Sequence, residues 1–312
     1  MEQGGDSPLT GIALKIASVT MFVGMVTCIK AVGPVPPGQI VFFRSLFAMA
    51  PVFMFLAWQG ELRHAFHTQR PLGHVARGVV GVAAMSLGFF GLTVLPLPDA
   101  ITINYAQPII LTVLSAVMLG EVIRIYRWSA VVAGMAGVLI ISWPKLALLS
   151  GQGTAGHSEA YGALATLGSA TLAAFAMILV RRLIDTETTA SIVVWFSLTA
   201  TAASLVTIPF GWAAVDTRQV LLLIGSGICG GVAQLLMTQA YRHATLATVA
   251  PFEYTSMLLG IASAWLFFAE IPTAQTLVGG AIVVAAGLFI IWREHRLGLE
   301  RRAAKQTMTP QG

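Results

Sequence analysis

The sequence predicts an all-α integral membrane protein, with ten transmembrane helices arranged as two inverted five-helix repeats. Three observations predict it. Ten apolar stretches of about 18–22 residues, split by short polar loops, fill almost all of the 312 residues. Hydrophobic residues make up 56% and charged residues 10% of the chain, with mean hydropathy +0.81, whereas a soluble protein carries roughly 25% charged residues. The chain also repeats itself. Leu119-Gly120-Glu121 followed by Gly137-Val138-Leu139-Ile140-Ile141 returns five spans later as Phe268-Ala269-Glu270 followed by Gly287-Leu288-Phe289-Ile290-Ile291. Five is odd, so the second copy enters the membrane from the opposite side.

The ten spans are read as 10–31, 37–58, 73–92, 99–119, 128–143, 160–181, 190–212, 219–241, 247–269 and 275–292. Each can cross a hydrocarbon core of about 30 Å as a helix. Barrel strands would alternate polar and apolar residues, and these runs do not. The organisation that follows is a cytoplasmic tail at 1–9, a first repeat at 10–143, a flexible external linker at 144–159, a second repeat at 160–292 and a basic cytoplasmic tail at 293–312. Residues 10–31 are too long for a cleavable signal peptide and lead into further spans.

Taken in order, the spans carry few polar groups. In the first, Lys15 and Lys30 lie near opposite ends, so each is expected to snorkel to its nearer surface. In the second, Arg44 lies about 10 Å deep at 1.5 Å per residue. It suits either a substrate carboxylate or phosphate, or a fold-holding role. In the fourth, Asn104 and Gln107 stand three apart on one helix face, with Tyr105 pointing elsewhere. Pro108 frees backbone carbonyls there. Cavity lining is the favoured reading of Asn104 and Gln107, and interhelical bonding the alternative. Trp195 in the seventh span reads as an interfacial belt residue, with stacking on a flat substrate as the alternative. In the eighth, Gln234, Thr238 and Tyr241 form one polar stripe at i, i+4, i+7. Glu253 in the ninth is the carboxylate set well inside a span. An intramembrane charge costs about 2.5–3.5 kcal/mol on insertion scales and normally faces a cavity or partner. Glu253 therefore reads as a proton-coupling or cation-recognising group, or as a structural partner of Arg44, Arg77 or His243. Met21, Met85, Phe89 and Phe175 read as packing residues with cavity wall as the alternative.

The net charge of +5 and pI of about 9.6 are a matter of topology. Arg63, Arg70, Arg77, Arg124, Arg127, Arg181, Arg182, Arg242, Arg293, Arg296, Arg301, Arg302 and Lys305 fall in or beside every second loop and the C-terminal tail. The opposite loops hold only Lys145 and Arg218. This positive-inside bias places both termini in the cytoplasm and leaves no role for nucleic acid. The two cysteines, Cys28 and Cys229, both lie in spans and support neither a disulfide framework nor a zinc site.

Some signals mislead. Gly225-Ser226-Gly227-Ile228-Cys229-Gly230 matches a dinucleotide fingerprint but sits in an apolar span without its βαβ context, so close helix packing explains it. Gly134, Gly137, Gly279 and Gly280 read the same way. His64, His67 and His74 lie in a basic loop and its edge and are not expected to hold a metal. Glu121 and Glu270 sit at helix ends and suggest helix-end bonding in both halves.

Phe43-Arg44-Ser45 in the second span, Leu119-Gly120-Glu121 closing the fourth and Ala269-Glu270 closing the ninth resemble the EamA branch of the drug/metabolite transporter superfamily. Pro251-Phe252-Glu253-Tyr254-Thr255 is similar to the stretch found around S-adenosylmethionine and riboflavin uptake, and adds Tyr254 to the candidate substrate-binding residues. The resemblance implies a cavity between the halves that opens alternately to each side, small-metabolite cargo, proton-linked exchange or facilitated movement, and no ATP.

These readings converge on a secondary transporter of a small organic metabolite in the inner membrane, not an enzyme. Riboflavin or a similar aromatic vitamin is the expected cargo. An amino acid or its derivative, including S-adenosylmethionine-like substrates, is the alternative. An enzyme acting on a lipid carrier is the weaker reading, because the chain offers one embedded acid and scattered histidines where such chemistry needs a cluster. The expected substrate-binding residues are Asn104, Gln107, Gln234, Thr238, Tyr241 and Tyr254. Glu253 and Arg44 are expected to handle charge, protons are the candidate coupling ion, and no metal or cofactor is expected.

Overall fold

Proline and glycine set the helix limits in the computed structural model, which describes residues 8–60, 62, 66–119, 125–147, 154–184, 186–243 and 250–307. Eleven α-helices form among the described residues: α1 Pro8–Val32, α2 Pro37–Gln59, α3 Pro71–Val94, α4 Leu97–Asn104, α5 Ala106–Leu119, α6 Ile125–Ala147, α7 Thr154–Ile184, α8 Thr189–Leu205, α9 Thr217–His243, α10 Thr255–Phe268 and α11 Ala274–Thr307. A 3₁₀ turn, Ala250–Tyr254, leads into α10. Proline opens α2 and α3, where its missing N–H is no loss. Gly60, at φ 72, closes α2 in the left-handed conformation that glycine accepts without strain.

The fourth span is interrupted, and the described part of the ninth changes helix type. Pro108 lacks an N–H, and its ring crowds the carbonyl four residues back, which belongs to Asn104. Accordingly α4 stops at Asn104, Tyr105 makes a turn, and α5 starts at Ala106. Pro251 lies in the 3₁₀ turn that precedes α10. Pro51 and Pro144 lie inside α2 and α6, both of which run on. Counting α4 with α5 as one span, and the 3₁₀ turn with α10 as another, gives the ten expected. Helices reach into the expected linker from both sides, to Ala147 and from Thr154, and α11 continues through the expected tail to Thr307.

Equivalent helices of the two halves lie side by side and run antiparallel. In α2 and α8, Gly38 meets Thr207, and Val52 packs in one cluster with Val194. In the fourth and ninth spans, Gly260 meets Ile101, and Tyr105 meets Ser256. In α6 and α11, Gly134 lies by Ala286, and Gly137 by the Gly279 carbonyl. A pair of equivalent elements can run antiparallel only if one half is inverted relative to the other. The helix pairs α1/α9 and α3/α7 exchange under the same operation and are among the most extensive contacts in the molecule. The two loop regions are sealed in matching ways. Gln39 at the start of α2 exchanges two bonds of 3.0 Å with the backbone of Ala213. Ser191 at the start of α8 donates to the His67 carbonyl at 3.0 Å.

Small residues allow this intimacy. In α1/α9, Gly24 faces Cys229 and Gly225 faces Cys28, so the glycine-rich run 225–230 serves helix packing. The largest apolar core includes Ile29, Ile40, Leu95, Leu97, Ile103 and Leu223. Met54, Val132, Leu266 and Phe267 are exposed, as expected of surfaces that face lipid. Among the described residues, five helices are long and apolar enough to cross a membrane, and four shorter apolar ones accompany them.

Candidate functional site

The break in the fourth span and the change from 3₁₀ to α-helix in the ninth fall at equivalent residues. Tyr105 lies 16 residues before Glu121 (121 − 105), and Tyr254 lies 16 before Glu270 (270 − 254). Tyr105 marks the junction of α4 and α5 and Tyr254 that of the 3₁₀ turn and α10, and the rings meet edge to face with centroids 5.4 Å apart. Ser256 Oγ donates to the Glu253 carbonyl at 2.7 Å. The Tyr105 hydroxyl must therefore be the donor in its own bond to Ser256. One residue before each tyrosine stand Asn104 and Glu253, both exposed. Gln107 is half-buried.

Glu253 pairs with Lys15. This corrects two expectations. Lys15 does not snorkel, being 1% exposed, and the partner of Glu253 is neither Arg44, Arg77 nor His243. The Glu253 side chain is 49% exposed, so the pair joins a buried ammonium of the first half to a half-open carboxylate of the second. Farther along the same helices, Thr27 bonds Ser263 at 2.6 Å, and Lys30 reaches Glu270 at 2.8 Å and the Leu95 carbonyl at 2.6 Å. The residue numbers rise together, so α1 and the ninth span run parallel and are linked by polar groups along their length. Glu270 also accepts from the Leu97 amide at 2.8 Å, which is the expected helix-end bonding. Glu121, its counterpart, lies outside the described residues.

A second cluster lies between α2, α3, α8 and α9. Arg44 is 6% exposed and, with Ser197, Phe196, Gly230 and Gln234, lines a small cavity. Its Nη1 donates weakly to Met85 Sδ at 3.8 Å, and its buried Nε has no partner. The Arg77 guanidinium lies 3.5 Å from the Phe196 ring centroid. Trp195 is half-buried, stacks on the buried His74 at 5.7 Å, and its Nε1 is buried without a partner. That corrects its reading as an interfacial belt residue.

The structure thus divides the expected site residues. Arg44 and Gln234 share one cavity. Glu253 and Tyr254 sit in the 3₁₀ turn of the ninth span, with Asn104 and Gln107 beside the break in the fourth. The side chains of Thr238 and Tyr241 lie outside the described residues. Sequence reasoning missed Lys15, Tyr105 and Ser256. Lys15 was legible as an ionisable group inside a span, and Tyr105 from the 16-residue offset that the two repeats share.

Near the ends of α3 and α7, Glu187 is 2% exposed. It accepts from the Thr68 hydroxyl at 2.9 Å and from the amides of Gln69 at 2.7 Å and Arg70 at 2.9 Å. His74 Nε2 lies 3.5 Å from its other oxygen. Burial pushes this carboxyl up, but the bonds it accepts outweigh burial and hold it below the usual carboxylate range.

The profile of the EamA-like transporter family matches residues 9–143 and again 160–293. Three curated relatives illustrate the range. The chain is 29% identical over 285 residues to the pseudopaline exporter CntI of Pseudomonas aeruginosa, covering 89% of this chain and 94% of that protein. It is 28% identical over 262 residues to a riboflavin transporter of Rhizobium johnstonii, covering 84% and 83%. It is 24% identical over 260 residues to an S-adenosylmethionine uptake transporter of Rickettsia felis, covering 83% and 84%. One crystal structure, 18% identical, superposes with TM-score 0.65 over 93% of this chain and 99% of that one, which supports the fold. With both halves matched, the chain belongs to the EamA-like transporter family and is a small-metabolite transporter rather than an enzyme.

Proposed function

We propose that this transporter works by alternating access in the inner membrane, with both termini cytoplasmic and its cargo bound between the inverted halves. The observation that carries this reading is the Lys15–Glu253 ion pair. It ties the two halves together at the 3₁₀ turn of the ninth span, where a half-exposed carboxylate can change protonation or partner as the halves rock. Substrate contacts fall to Asn104, Gln107, Gln234, Thr238, Tyr241 and Tyr254, with Arg44 recognising charge. Protons are the coupling ion.

Two cargo classes stand. Riboflavin or a similar aromatic vitamin is supported by the riboflavin-transporter relative and by the tyrosine pair at the two junctions. An amino acid or amino-acid derivative is supported by the S-adenosylmethionine uptake relative and by the buried charge of Arg44. The test of the mechanism is Glu253→Gln in proteoliposomes, with uptake followed across a pH series. The expected result is a loss of uptake together with a flattened pH dependence. Undiminished uptake with an unchanged pH profile would remove Glu253 from coupling.

A further inference from the structure

Two guanidinium groups sit inside the bundle with no carboxylate paired to either among the described residues. Arg44 comes from α2 and Arg77 from α3. Among the described residues, ion pairs form at Lys15, Lys30 and His74, and none involves Arg44 or Arg77. Arg44 Nε, Arg77 Nε and Arg77 Nη1 are buried without hydrogen-bond partners, and so is the neighbouring Trp195 Nε1. A fold-holding arginine directs its donors at carbonyls or carboxylates. These two instead rest on Met85 sulfur and the Phe196 face.

The repeat shows that the helix packing itself does not need this charge. Phe42-Phe43-Arg44-Ser45-Leu46 aligns with Val194-Trp195-Phe196-Ser197-Leu198. Arg44 packs against Gly230 of α9, and its counterpart Phe196 packs against Gly81 of α3. The same crossing is thus filled by an apolar ring in one half and by a guanidinium in the other. The guanidinium side opens on the cavity that Ser197 and Gln234 also line.

We propose that Arg44 and Arg77 form an oxyanion-recognition site, and that the cargo bears a carboxylate or phosphate which this site binds through the unpartnered guanidinium donors. This rests on the carrier reading and narrows its cargo. Buried cations are stable when an anion completes them, and the planar guanidinium matches both oxyanions in bidentate fashion. Ser197 lines the same cavity as Arg44 and offers a neutral bond to the rest of the molecule.

The test uses the purified full chain and matched probes: tryptophan against tryptamine, methionine against methioninamide, and riboflavin 5′-phosphate against riboflavin. The first two pairs report a carboxylate and the third a phosphate. In at least one pair the member that carries the oxyanion is expected to bind on the order of tenfold more tightly by thermal shift. Arg44→Gln and Arg77→Gln should erase that preference, chiefly by weakening the oxyanion-bearing member, while Arg44→Lys, the fallback where Gln fails to fold, should keep part of it. Equal binding of both members in every pair, or a preference that survives both Gln variants, overturns the proposal. If no probe binds, the unliganded Arg44→Met variant decides. An unchanged or raised melting temperature supports a charge kept for ligand, and a fall of several degrees assigns Arg44 to the fold and overturns the site. Counterflow in proteoliposomes separates the two levels. Saturable exchange with no preference for the oxyanion-bearing members removes the oxyanion site and leaves the carrier. Binding without any exchange removes the carrier and leaves the site.

Discussion

Lys30 and Glu270 form a 2.8 Å ion pair between the end of α1 and the end of α10, and they lock a third segment with them. Lys30 also donates to the Leu95 carbonyl, and Glu270 accepts from the Leu97 amide. Three spans from both halves therefore meet in one clamp at one end of the molecule. Both side chains are mostly buried, so salt screens the pair less than an exposed one.

The clamp predicts a measurable opening. Glu270→Gln retains an acceptor for Leu97 but loses the charge that holds Lys30. In a Cys229→Ser background, Cys28 two residues before Lys30 should react several-fold faster with a membrane-impermeant maleimide, and Lys30→Met should act likewise. Unchanged labelling in both variants would show that the pair does not hold this end closed.

Glu187 predicts an acid-sensitive fastening at the opposite end. Its folded pKa is depressed, so its stabilising effect is fully present above the unfolded value of about 4.3. It disappears as pH falls through the lower folded value. Glu187→Gln should therefore melt below wild type at pH 7, and the gap should close under acid. A gap that stays constant down to about pH 3, or that widens, contradicts this sign.

Much of this architecture was legible in the sequence. Apolar length and the Glu-to-Gly repeat gave the ten spans and the inversion, because membrane thickness and an odd span count leave little choice. Pro108 marked the broken fourth span and Pro251 the 3₁₀ turn of the ninth, since a missing N–H acts locally. Partnerships were less legible. Glu253 was expected to seek Arg44, Arg77 or His243, yet it found Lys15, because spacing along one helix says nothing about which face another helix presents. Snorkelling was a sound rule for Lys15 in isolation, and a carboxylate on a parallel neighbour overrode it. Trp195 has belt composition, but His74 beneath it turns it inward.

Glycine positions predict two contrasting costs. A Cβ on Gly137 would lie 2.7 Å from the Gly279 carbonyl oxygen, which is backbone and cannot swing away. A Cβ on Gly24 would meet Cys229 sulfur at an ordinary 3.8 Å. Gly137→Ala should destabilise by about 1–3 kcal/mol through overpacking, and Gly24→Ala by well under 1 kcal/mol. Melting temperatures in detergent check the ranking, and equal effects would deny that α6 and α11 touch backbone to backbone.

Gly287 predicts a functional defect without a large loss of stability. It lies under the Tyr254 hydroxyl, and a methyl group there would overlap the phenol. The obstruction is the far end of a side chain, so the ring can rotate where a backbone atom could not. Rotation would take Tyr254 off its edge contact with Tyr105, next to the Tyr105–Ser256 bond that links the two spans. Gly287→Ala should therefore raise the apparent KM for cargo several-fold while shifting the melting temperature by only a few degrees. Tyr105→Phe, which removes the Ser256 bond and keeps the ring, should cost about 0.5–1.5 kcal/mol and leave KM nearer wild type. If the two variants instead change KM alike, the hydroxyl bond and not the paired rings shapes the site, and the tyrosine pair would lose its place in cargo binding.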